Sequence, residues 1–190
     1  MSDETPPPSS PSLGTPRSWS VELAALFAGG TGLPPLAGGG FLLALGHRGV
    51  GPRLFACGLL CVAAGGLWGW LLGPWLRSVV GPIRRSPLQW VPLGILPGAG
   101  IGAVLAAPVT WALAGSAFSL GHLMLNGSTV MLAAAVLFGT AWAPYVALRL
   151  RGASGWAVVA IAIALSPIAV VAASSSVRTV WLTMGEPWPD

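Results

Sequence analysis

The chain has 190 residues, of which 54% are apolar and 7% charged, with a mean hydropathy of +0.78. Soluble domains carry about 25% charged residues, so this composition excludes an ordinary water-soluble globular domain. The formal net charge of +4 rests on nine arginines and no lysine, set singly or in pairs near the ends of apolar runs; that distribution marks membrane topology and excludes a nucleic-acid surface.

Residues 1–20, MSDETPPPSSPSLGTPRSWS, are rich in Pro and Ser and read as a disordered tail. They lack the basic and apolar regions of a secretory signal. Five apolar stretches follow, at about 21–46, 54–74, 90–115, 128–148 and 156–177, before a short C-terminal tail at 185–190. A helix of about 20 apolar residues crosses a hydrocarbon core of about 30 Å. Barrel strands would alternate polar and apolar residues, and the run VVAIAIALSPIAVVAA does not. The expectation is an all-α integral membrane protein, a single bundle over residues 21–184 with about five transmembrane helices.

The first span holds AGGTGLPPLAGGG at 28–40. Pro34 and Pro35 carry no N–H, so the carbonyls of Gly30 and Thr31 lose their helical donors and a kinked or broken helix is predicted. In transporters, such breaks expose backbone groups that bind solute or ion. Gly30, Thr31, Pro34 and Pro35, with Pro97 in the third span, therefore form a candidate helix-break and solute site.

The second span carries Cys57, Cys61, Gly65, Gly69 and Gly73 at four-residue spacing, and the third carries Gly94, Gly98, Gly102 and Ala106 at the same spacing. Small residues at every fourth position form a stripe, a glycine zipper, along which another backbone can approach closely. Spans two and three are expected to pack on each other or on a second subunit. The two cysteines read as members of this stripe, and no metal site is expected from them. GAGIGA at 98–103 matches a dinucleotide fingerprint, yet it lies inside an apolar span without the strand and acidic residue that the fingerprint requires. No cofactor is expected.

His122 lies in the uncharged connection GSAFSLGHLMLNGST between spans three and four, a candidate polar loop site because histidine titrates near neutrality. The acids are Asp3, Glu4, Glu22, Glu186 and Asp190. Glu22, at the edge of the first span, is placed at the interface, which leaves no carboxylate pair or catalytic triad in the spans. A non-enzymatic protein is expected. Trp19, Trp75, Trp90, Trp156 and Trp181 fall near span ends, where indoles prefer to sit.

With the N-terminus inside, Arg17, Arg77, Arg84, Arg85, Arg149 and Arg151 are cytoplasmic, while Arg48, Arg53 and Arg178 are outside. The excess favours a cytoplasmic N-terminus and an external C-terminus. A composition rich in Ala, Gly, Pro and Arg suits a GC-rich bacterial source, hence a multi-pass protein of the bacterial inner membrane. The leading functional expectation is a bundle that assembles with itself or with other membrane subunits through its stripes, in the lipid bilayer. The alternative is a small-solute permease or channel that uses the proline and glycine breaks.

Overall fold

The computed structural model describes residues 15–80 and 90–183; residues 1–14 of the tail expected at 1–20, and the tail expected at 185–190, lie outside them. The chain is all-helical there: α1 Pro16–Ala44, α2 Val50–Val80, α3 Val91–Ala114, α4 Leu120–Leu150 and α5 Trp156–Thr183, with a 3-10 turn at Gly115–Ala117. Five of these helices are long and apolar enough to cross a membrane. They fit a polytopic membrane protein, and exposed Leu60, Leu71, Leu96, Ile168 and Val171 suit contact with lipid.

The first helix begins earlier than its composition suggests. Thr15 accepts from the Ser18 amide as N-cap and Pro16 follows at the first helical position. That pairing starts a helix, because the cap serves an orphan N–H and proline has none to lose. Residues 16–20, expected in the tail, are therefore helical, and Trp19 and Ser20 are buried. Downstream, α1 remains helical through Pro34 and Pro35 for 29 residues, about 43 Å at 1.5 Å per residue.

Two helix ends are closed by glycine. At Gly46 (φ 82°) the amides of Gly46 and His47 reach back to the carbonyls of Leu43 and Leu42. Gly152 (φ 74°) and Ala153 repeat the pattern on Arg149 and Leu148. Both are Schellman caps, which need the left-handed backbone glycine adopts without strain. The chain turns back sharply at each.

Successive helices pack side by side, and α5 returns to α1, so the five form a closed ring. The small-residue stripes form two of its joints, though not the joint expected between spans two and three. A Cβ at Gly65 would stand 2.6 Å from the Phe27 carbonyl oxygen, and one at Gly73 2.6 Å from Ser20 Cα. Gly69 abuts the Leu23 backbone, and Cys57 and Cys61 are buried on the same side. The α2 stripe thus seats α1. On α3, Cβ atoms at Gly94, Gly98 and Gly102 would meet Trp142 Cβ at 2.5 Å, the Ala134 carbonyl oxygen at 2.7 Å and Met131 Cα at 2.7 Å. Ala106 continues that line, touching the space of Gly127. The α3 stripe seats α4, and both stripes are filled within one chain.

The tryptophans divide in the same way. Trp75 and Trp156 are exposed, whereas Trp19 and Trp90, also near helix ends, are buried. The Trp181 side chain lies outside what is described.

Gly69→Leu and Gly98→Leu are each expected to destabilise the fold by at least about 2 kcal/mol, because backbone cannot yield to a new side chain as a rotamer can. Thermal unfolding in mild detergent measures this against Gly40→Leu, where nothing stands within 4 Å of a new Cβ. Equal melting temperatures for all three variants would refute these contacts.

Candidate functional site

Inside the ring lies a cavity of about 190 Å³ that every helix borders. From α1 come Gly30, Thr31, Pro34 and Pro35; Cys61 and Leu54 come from α2; Leu105, Val109 and Leu113 come from α3. Val130, Ala133, Ala134 and Leu137 of α4 and Ser166 and Val170 of α5 complete it. Four of the residues proposed for a helix-break site are thus gathered at one cavity. Pro97 is not among them: it is buried on α3, and its carbonyl accepts from Trp68 Nε1 at 3.2 Å.

The lining is apolar apart from a few oxygens and one thiol. Thr31 Oγ1 stands 2.7 Å from the Phe27 carbonyl and 3.0 Å from that of Cys61, so its hydrogen is held between α1 and α2. Ser166 Oγ donates to the Ile163 carbonyl at 2.8 Å. Pro167 cannot supply the N–H that carbonyl would receive in an unbroken helix, and the serine hydroxyl takes its place. On α1 the corresponding carbonyls are those of Gly30 and Thr31, whose fourth neighbours onward are Pro34 and Pro35. Gly30 has no side chain, so it is backbone that borders the cavity there.

Toward the end of the ring where α1 begins, the interior is filled. Phe27 and Phe138 stack across it at 4.0 Å between ring centroids. Beyond them Trp19 meets Trp142 and Tyr145 edge-on at 6.4 and 5.5 Å, and Trp142 stacks on Tyr145 at 5.6 Å.

This aromatic layer encloses a buried ion pair. Glu22 Oε2 lies 3.4 Å from Arg149 Nε, with side chains 4% and 9% exposed. Glu22 Oε1 also accepts from the Gly155 amide and from Ser154 Oγ, both at 3.3 Å. Arg149 donates to Ser18 Oγ and lies over the Trp19 ring, 5.4 Å from its centroid. Position 155 must be glycine, since a Cβ there would stand 2.6 Å from Glu22 Oε2 and collide with the Tyr145 ring. The carboxylate faces the N-terminus of α5 and the guanidinium the last turn of α4, so both charges complement helix dipoles. Glu22, near the start of α1, is a buried residue of the bundle with Arg149 as its partner.

The signal for this pair was in the sequence. Glu22 is separated from the next acid, Glu186, by the whole bundle. A lone acid in an apolar stretch requires an internal partner, and two arginines, Arg149 and Arg151, stand just before Gly-Ala-Ser-Gly, without the sequence saying which of them turns inward.

His122 stands apart from both places. Its Nδ1 lies 2.6 Å from Ser119 Oγ, and its amide donates to the same oxygen, which caps α4. The stretch GAGIGA is helical within α3, where Gly98 and Gly102 serve the α4 contact. Compared with known family models, curated proteins and solved structures, the chain matches none.

Removing one partner of a buried pair costs about 3–5 kcal/mol, because the other charge is left without compensation. Glu22→Gln is expected to destabilise the protein within that range, and Glu22→Gln with Arg149→Met to recover most of the loss. Denaturation of both variants in detergent measures the coupling. A double variant no more stable than the single one would show that the two charges are not coupled.

Proposed function

We propose that this chain is a non-enzymatic membrane protein that takes a small uncharged solute into its ring and lets it pass without ion coupling. The observation that carries this reading is the cavity bordered by every helix at the Pro34–Pro35 site. Its lining includes no Arg, His, Asp or Glu, and an unpaired charge in such surroundings is strongly disfavoured. The Glu22–Arg149 pair is engaged in holding three segments together, so it does not offer a free carboxylate as a proton relay. Passage toward the α1 start requires the Phe27–Phe138 stack and the aromatic layer behind it to part.

Assembly with a second copy or a larger complex is the other reading of the sequence. The stripes it drew on are filled by α1 and α4, which moves the weight of the argument to the solute. The arginine distribution supports a cytoplasmic N-terminus, in which case the ion pair lies at the cytoplasmic end of a bacterial inner-membrane protein and the cavity in the outer half.

Stopped-flow light scattering on proteoliposomes, with water, urea, glycerol and short alcohols, tests the reading. At least one of these is expected to cross several-fold faster than through empty vesicles. Ala134→Leu, which places three more carbons beside the cavity, is expected to abolish most of the excess. Flux equal to that of empty vesicles for every solute would overturn the proposal.

A further inference from the structure

The polar atoms around the cavity are of one kind. The Thr31 hydroxyl hydrogen is committed to the carbonyls of Phe27 and Cys61, and that of Ser166 to Ile163. The Cys61 thiol is buried and at most a weak donor. Besides apolar atoms, the space is bordered by the hydroxyl-bearing Thr31 and Ser166 and by Gly30, and the carbonyls of Gly30 and Thr31 receive no helical N–H from Pro34 and Pro35. A buried carbonyl without a donor is unfavourable, so a ligand that brings one is selected over an isostere that does not.

From this we infer that the cavity is a binding site for small neutral hydrogen-bond donors, molecules with an apolar body and an N–H or O–H aimed at the Gly30 and Thr31 carbonyls. The inference rests on the solute reading above and narrows it to a chemical class. Size sets the upper limit. An apolar cavity of about 150 Å³ accommodates benzene, so about 190 Å³ accepts one six-membered ring with a single polar substituent. Charged amines are disfavoured because the lining carries no anion.

Phenol and fluorobenzene have nearly the same shape and differ in the donor. Binding of fluorobenzene to the purified protein in detergent is read from its fluorine NMR line, and phenol is read by displacement. Phenol is expected to bind about fivefold more tightly, the value of roughly one hydrogen bond. Pro34→Ala with Pro35→Ala returns an N–H to each carbonyl, and the two ligands are then expected to bind equally. Circular dichroism and gel filtration report whether that variant is intact. If it is not, Pro35→Ala alone applies the same test to the Thr31 carbonyl.

Equal affinities in the unaltered protein would overturn the donor class while leaving the cavity as a solute site. A phenol preference that survives the proline replacements would overturn the assignment to these carbonyls. Absence of saturable binding, or binding unaffected by Ala134→Leu, would overturn the solute reading together with the inference.

Discussion

The buried contact between Glu22 and Arg149 determines how the five helices close. Its carboxylate reaches the amide of Gly155 and the hydroxyl of Ser154, so one side chain of α1 joins the end of α4 to the start of α5. In hydrocarbon neither charge is tolerable alone, whereas the pair, with dipoles and hydrogen bonds around it, is. The last helix is thereby returned to the first. An open row of helices would expose its inner face to lipid, but the ring gives that face an interior.

The remainder of the fold follows from how closely backbones can approach. Without a hydrophobic driving force between helices in lipid, packing and internal hydrogen bonding hold the bundle together. Glycine in α2 and α3 lets α1 and α4 approach to direct backbone contact, forming two tight hairpins. Proline acts in the opposite sense. Each helix contains at least one, and each removes an N–H that lipid cannot replace. At Pro167 a serine repairs the loss. At Pro34 and Pro35 no hydroxyl stands three or four residues past Gly30 and Thr31 to do so, and that of Thr31 reaches back to Phe27 and across to Cys61. The cavity lies beside these two prolines.

Hydropathy made the number and approximate position of the helices legible, because the bilayer thickness fixes how long an apolar run must be. The cavity was legible in part: two adjacent prolines identify the carbonyls they deprive, and those residues do meet the interior. Pro97 deprives the Leu93 carbonyl by the same local rule, but which way a proline-bearing turn faces depends on neighbours, and neither residue borders the cavity. The stripes were legible as contacts but not as to partner, since a row of small residues records how close another backbone comes and not which one. The partners of Trp19 and Glu22 were missed for a common reason. Each is of a type that favours the interface when nothing else is near, and only the fold puts Arg149 and Tyr145 beside them.

The spacing of that ion pair along the chain has a consequence for the order of synthesis. Glu22 is made with the first helix, whereas the Gly155 amide it binds lies 133 residues later. At about 5–20 residues per second, that interval is roughly 7–27 s. During it, the first hairpin can form through its glycines, but the acid has no partner and its end of α1 must stay in reach of water. Arg149 and the turn behind it then arrive together, and docking them draws Glu22 inward. The charge that makes the finished ring secure is thus the one that keeps it open until the final helix has been made.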